Sequence, residues 1–259
     1  KTELWTIEYV RKVFKADVLL EQESDCNFAN LEDMLKEFII LTTKMTEYCP
    51  IHKYYYNRKY IFCPKCIPSQ KQNQFLEVIN QKKFKEKETV DGGEGGESYI
   101  YPYGKNSVAK IFKEEVDIRF KRIVLTRIFL KKSLLEKINN LKNSKFQFVI
   151  PQKVLVDTKS NEIFGYTMYE VQNAYPISVL RDKVEVEKLK LSRKDILEII
   201  ITIGEGIETL HKEANIYIGD LNGRNILFDK NKNVYFLDFD GMGIDDIKVE
   251  FYTPGYIDP

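Results

Sequence analysis

Asp220, Asn225, Asp238 and Asp240 have the residue types and spacing to hold a divalent cation against a phosphate. Mg²⁺ takes hard oxygen ligands and keeps substrate phosphates in its shell, so Asn225 and two nearby aspartates make a suitable ligand set. Far upstream, Asp91-Gly92-Gly93-Glu94-Gly95-Gly96-Glu97-Ser98 is a glycine-dense turn leading into the β-prone run Tyr99 to Tyr103. Without Cβ atoms, the backbone N–H groups of Gly92, Gly93, Gly95 and Gly96 can approach phosphate oxygens closely. Ser107 to Phe112 is then a short apolar strand with one lysine, Lys110. A strand lysine is ordinarily solvated, but one that follows a glycine turn is placed to meet a phosphate.

A second constellation lies nearer the start. Cys49-Pro50-Ile51-His52 and Cys63-Pro64-Lys65-Cys66 are two ligand pairs separated by ten residues. Three thiols and an imidazole close a tetrahedral shell around Zn²⁺ and leave no open position, so the metal is expected to be structural. Tyr54 to Phe62 is aromatic and β-prone, which predicts two short strands between the pairs. Cys26 stands apart and reads as a buried hydrophobe.

The elements that must position these groups follow from periodicity. Residues 1–47 read as helical, with Leu4, Trp5, Val10, Val13 and Phe14, then Leu31, Met34, Leu35, Phe38 and Ile39 at helical spacing. Residues 48–68 form the zinc ribbon, and 69–88 read as a connecting helix or linker. Gln152 to Val156 and Ile163 to Met168 are predicted strands joined by a polar turn. Ser192 to His211 is an amphipathic helix capped by Ser192. Ile226 to Phe228 and Val234 to Leu237 form a hairpin that delivers Asp238.

With 40 basic and 39 acidic side chains the chain is nearly neutral, which gives no argument for nucleic acid or an anionic membrane as partner. No apolar run approaches the ~20 residues that span a bilayer, and a cytoplasmic protein is the default expectation. Apolar residues make up 43 %, ample for a packed core.

Taken together, Gly92 to Gly95, Val108 to Lys110, Leu210-His211, Gly219 to Asn225, Asp238 to Asp240 and Thr253 to Pro259 resemble the eukaryotic-like protein kinases. The chain looks closest to a bacterial branch with a G-G-E-G nucleotide loop and D-x-D in place of D-F-G. Resemblance covers residues 89 to 259. It implies an α+β, bilobal kinase-like fold, with a five-stranded antiparallel N-lobe over 89–172 and a helical C-lobe from 173, preceded by the helical segment and the ribbon. Thr253 to Pro259 looks like the end of an activation segment, so the C-lobe is expected to be cut short at Pro259.

The resemblance assigns roles. Asp220 would orient the substrate hydroxyl, Lys110 would hold the α/β-phosphates, and Arg224 would stand in for a phosphate-binding lysine that Asn222 replaces. Asn225 and Asp238 would bind Mg²⁺ or Mn²⁺, with Asp240 as an extra metal carboxylate. Met168, Glu170 and Val171 would lie at gatekeeper and hinge, facing adenine. A kinase also needs a helix glutamate to pair with its lysine; among Glu114, Glu115 and Glu136, Glu115 is the choice. Gly219 replaces the arginine that partners an activation-loop phosphate, so activity is expected not to require loop phosphorylation. The implied function is ATP/Mg²⁺-dependent phosphorylation of a protein, with Ser/Thr as the expected acceptor. Alternatives are a kinase-like nucleotide-binding scaffold and a small-molecule phosphotransferase of the aminoglycoside or choline type.

Overall fold

The computed structural model describes residues 46–85, 87–90, 93–142, 144–219 and 221–247. The expected helices of 1–47 with Cys26, as well as Gly92, Asp220 and Thr253 to Pro259, lie outside these residues, apart from the last two positions of the helical segment. The chain divides into two compact units, Lys1–Cys63 and Pro64–Pro259. The described parts form a mixed α+β structure.

In the first unit, β1 (Thr46–Cys49) and β2 (Tyr54–Asn57) form an antiparallel hairpin with Cys49 opposite Tyr54. The side chains alternate as a two-residue period requires: Glu47, Cys49 and Tyr56 face inward, whereas Tyr48 and Tyr55 face outward. The strands therefore bracket the first ligand pair, and the expected pair of strands between the two ligand pairs does not form. The reason is local. Asn57 accepts hydrogen bonds from the backbone amides of Lys59 (2.8 Å) and Tyr60 (3.1 Å) and turns the chain there, leaving Thr46–Cys49 as the partner of β2.

In the second unit, α1 (Ser69–Gln72) and a 3₁₀ turn lead into β3 (Leu76–Ile79), followed by α2 (Lys82–Lys85). Next come β4 (Ser98–Pro102), β5 (Ser107–Phe112), the long helix α3 (Ile118–Asn139), β6 (Phe146–Phe148), β7 (Lys153–Asp157) and β8 (Ile163–Tyr169). One sheet has five strands in the order β3-β7-β8-β5-β4. It is not wholly antiparallel, because β3 pairs with β7 in parallel, Leu76 opposite Val154. Part of the segment read as a linker is thus an edge strand.

Helix α3 begins at Asp117, whose side chain accepts the Arg119 amide, and buries Val124, Leu125, Ile128, Leu135 and Ile138 on one face. The remaining elements are β9 (Ala174–Pro176), α4 (Lys183–Lys188), α5 (Arg193–Thr209), β10 (Ile216–Tyr217), β11 (Ile226–Asp229), β12 (Val234–Phe236) and β13 (Gly243–Ile244). A four-stranded sheet runs β6-β12-β11-β9, and β10 pairs with β13. Helix α5 opens with a reciprocal capping box in which the Ser192 hydroxyl accepts the Asp195 amide and the Asp195 carboxylate accepts the Ser192 amide.

The principal core joins α3, α5 and the four-stranded sheet through Phe146, Phe148, Ile199, Phe228, Phe236 and Phe239. Each such side chain, taken fully out of water, contributes ~1.5–3 kcal/mol. That core fixes the ends of β12 and α3, and the chemistry-bearing side chains sit there. Among the described residues no helix is long and apolar enough to cross a membrane.

Candidate functional site

Two β-strand features aim Lys110 inward. On β5, Val108, Lys110 and Phe112 share a face, and Lys110 stands opposite Tyr166 of β8. The next pair, Ile111 and Gly165, brings the two backbones close, because position 165 has no Cβ. Lys110 is consequently almost fully enclosed, with its side chain 8 % exposed. Its partners are Asp238, with which it forms an ion pair, and Asp240, 2.6 Å from Nζ.

Asp238 follows β12 in a left-handed conformation (φ 64°, ψ 45°), which a residue with a side chain adopts at some cost. That backbone turn lets Asp238 and Asp240 both reach Lys110. The two carboxylates then differ sharply. Asp238 remains 32 % exposed, whereas Asp240 is wholly buried. Asp240 Oδ1 accepts hydrogen bonds from Lys110 Nζ and from the Tyr166 hydroxyl (2.6 Å), and Oδ2 lies 2.9 Å from Lys121 Nζ on α3.

Burial alone would push Asp240 up, but the Lys110 and Lys121 ammonium groups outweigh it and hold the carboxyl well below the usual range. Burial would push Lys110 down, yet Asp238 and Asp240 raise it well above the ordinary lysine value. Asp238 is raised by burial, and the Asp240 charge adds to this against the pull of Lys110. Tyr166 is driven far up by burial and by Asp240, so it stays a neutral donor.

Beside this cluster lies a cavity of about 480 Å³. Gly93, Gly95 and Gly96 form one wall; Lys110, Met168, Asn225 and Asp238 line the interior, and Arg224 stands at its border. Gly93 is required by packing: a Cβ there would lie 2.7–2.9 Å from Val90 and from the Ile100 carbonyl. The turn 222–225 is held by Asn222, whose side chain accepts the Arg224 amide (3.0 Å) and whose carbonyl accepts the Asn225 amide (2.9 Å). A cavity with a lysine, a partly exposed carboxylate, an amide and a glycine turn suits a divalent cation and a polyanion.

The structure brings together Lys110, Met168, Asn225, Arg224, Asp238 and the described glycines. It does not bring Glu170, Val171 or Glu115 to the cavity wall. The Glu170 side chain is exposed, and its amide bonds the Asn106 carbonyl (3.1 Å). Glu115 is exposed in the loop before α3, and Glu136 faces Lys132 at 4.0 Å. Asp240, expected as an extra metal carboxylate, is instead wholly buried behind the cavity wall and ion-paired with both Lys110 and Lys121. Asp220 is outside the described residues.

Sequence reasoning missed Lys121, Tyr166 and Glu97. Lys121 carried a signal: it falls on the same helical face as Val124, Leu125 and Ile128, and an ammonium on an apolar face must find carboxylates. It finds Asp240 and also Glu97 of the glycine-rich turn, at 2.7 Å.

The second cluster is Cys49, His52, Cys63 and Cys66, whose ligand atoms all lie within 4.8 Å of one another. His52 Nδ1 is 3.6 Å from Cys49 Sγ and 3.7 Å from Cys63 Sγ. A tetrahedral Zn²⁺ with ordinary Zn–S and Zn–N bonds demands an S···N edge of ~3.6 Å, so the group fits that ion. The three thiols are buried. The His52 amide donates to Cys49 Sγ (3.4 Å), and the Tyr54 hydroxyl lies 3.5 Å from Cys63 Sγ, so polar groups surround the sulfurs as an outer shell. This cluster could hold a structural metal ion.

No protein-family model and no curated protein sequence matches this chain.

Proposed function

We propose that residues 89–259 form a protein-kinase-like phosphotransferase that uses ATP and Mg²⁺ to phosphorylate a protein hydroxyl. One observation carries the reading. Lys110 and Asp238, 128 positions apart, meet beside a glycine-walled cavity that Asn225 also lines. Phosphoryl transfer needs little covalent chemistry from a protein; it needs the phosphates positioned and their charge neutralised. A lysine, a metal-binding carboxylate and an amide converging next to flexible backbone N–H groups meet that need.

In this reading Lys110 exchanges Asp238 for the α/β-phosphates, releasing Asp238 to hold Mg²⁺ with Asn225. Gly93, Gly95 and Gly96 approach the phosphates, Met168 borders the adenine, and Glu170 and Val171 form the hinge. Asp220 orients the substrate hydroxyl, and Arg224 neutralises transferred charge. The five-stranded sheet would belong to the first lobe and the four-stranded sheet to the second, with β3 joining the first from before residue 89 and β6 joining the second from within 89–172. Zn²⁺ in the Cys/His cluster would be structural.

The test is nucleotide binding followed by turnover. Calorimetric titration with ATP should show binding that tightens when Mg²⁺ is added, and labelled ATP should transfer phosphate to the protein or to a general acceptor. Asp220→Asn should keep binding and lose transfer by about 10²-fold or more. Equal transfer by both proteins would remove Asp220 from its role. Mg²⁺-dependent binding with no transfer by either would favour a nucleotide-binding scaffold.

A further inference from the structure

The phosphotransferase reading calls for a helix carboxylate to hold the phosphate-binding lysine, and α3 does not supply one. Its single acid, Glu136, lies near the far end and pairs outward. Near its start, on the buried face, the helix carries Lys121, 2 % exposed. The carboxylate comes from the opposite direction, as Asp240, and meets both lysines.

We infer that Lys121 is a positioning residue that acts through Asp240 on Lys110, so that the usual acid-on-helix arrangement is built here with the charges exchanged. The inference rests on the phosphotransferase reading. Asp240 offers Oδ1 to Lys110 and Tyr166 and Oδ2 to Lys121, which fixes the carboxylate plane from three sides. Lys121 Nζ also donates to the Asp240 carbonyl (3.4 Å) and pairs with Glu97 at 2.7 Å. One ammonium thus ties α3, the glycine-rich turn and the segment after β12 to a single point.

The charge count explains why Lys121 matters to Lys110. With Asp238, Asp240, Lys110 and Lys121 all ionised, these four charges cancel, and Glu97, 40 % exposed, adds a solvent-screened negative charge at Lys121. When Asp238 turns to a cation, Lys110 keeps one carboxylate partner, Asp240, whose second oxygen is ion-paired with Lys121 at 2.9 Å. Without Lys121, the buried carboxylate keeps Lys110 as its one ammonium partner beside the neutral Tyr166 hydroxyl and draws that lysine away from the cavity. Buried charges that lose a partner reorganise strongly, because the low-dielectric interior offers no substitute.

The test uses steady-state kinetics on the whole protein. Lys121→Met should lower kcat by about 10²-fold while KM for MgATP changes by less than about threefold, the pattern of a group that acts on the transition state. Lys121→Glu places two carboxylates together and should be worse. Adding Asp240→Gly to Lys121→Glu puts the acid back on the helix and should recover at least about tenfold of that loss, which a merely structural role would not do. Should Lys121→Met fail to fold, the double variant against Asp240→Gly alone carries the comparison, with the double expected to be the more active. A Lys121→Met protein with wild-type kcat, or a double variant no better than its parents, overturns the inference. A wild-type protein that neither binds MgATP nor transfers phosphate overturns the phosphotransferase reading, and this inference with it.

Discussion

Gly165 faces Ile111 across β8 and β5, and a Cβ at position 165 would press into the carbonyl oxygen of Lys110 and lie 3.1 Å from the Ile111 Cα. The obstructing atoms are backbone, so they cannot rotate away. Gly165→Ala is therefore expected to destabilise the protein by about 1–3 kcal/mol and to shift Lys110. Urea unfolding measures the first effect, and kcat with MgATP the second. A variant with an unchanged unfolding midpoint would show that the strands can part without cost.

Metal removal separates the two constellations. Purified protein is expected to contain one zinc per chain by elemental analysis, and Cys63→Ser should lose it. The Cys49–His52 turn then loses its closure, so proteolysis within 46–63 should accelerate while the 64–247 region stays resistant. Retention of stoichiometric zinc by Cys63→Ser would remove that thiol from the ligand set.

Acid titration offers a test on the turn between β7 and β8. The Asp157 carboxylate accepts the amides of Gln81, Ser160 and Lys159, with the Gln81 bond the largest influence, and these hold its pKa at about 2. A depressed carboxylate stabilises the fold above its unfolded value of ~3.9 and loses that contribution as pH falls through about 2. Asp157→Asn should thus be less stable than wild type at pH 6, and the gap should close between pH 4 and 2. A gap that persists at pH 2 would assign the effect to something other than charge.

Helix α3 is also clamped to the residues after β13. Arg127 pairs with Asp245 (3.2 Å) and Asp246 (2.6 Å), and Lys131 pairs with Asp245 (2.9 Å). Arg127→Ala should lower stability by about 1 kcal/mol, as expected for a partly buried pair. Thermal melts of the single variant and of Arg127→Ala/Asp245→Ala would expose the coupling; fully additive effects would deny it.

Gly219 provides no guanidinium for a phosphate on the segment after Asp240. Under the phosphotransferase reading, phosphatase-treated protein should retain its initial rate. A lag abolished by prior phosphorylation would contradict this.

The sequence disclosed features whose causes are local. Ser192 announced the start of α5, the polar turn 157–162 announced β7 and β8, and the paired spacing of Cys49, His52, Cys63 and Cys66 announced the metal cluster. The parallel pairing of β3 was hidden, because Leu76 to Ile79 is short, is preceded by polar residues, and becomes a strand only against β7. Asp240 was hidden for a related reason. An aspartate near two others reads as a hydrated cation ligand; it is buried here because Lys110 and Lys121, 130 and 119 positions away, close over it. Glu115 misled because adjacency to the helix start is visible in a sequence, whereas side-chain direction is not.

The edge position of β3 has a practical consequence for anyone cutting the gene. A recombinant fragment that starts at the glycine-rich turn would look complete by motif, yet it would strip β7 of its parallel neighbour and bare a row of unpaired amides and carbonyls beside Val154, Leu155 and Val156. Such an edge recruits strands from other molecules. Soluble expression should depend on beginning upstream of Leu76, at a boundary that no catalytic motif marks.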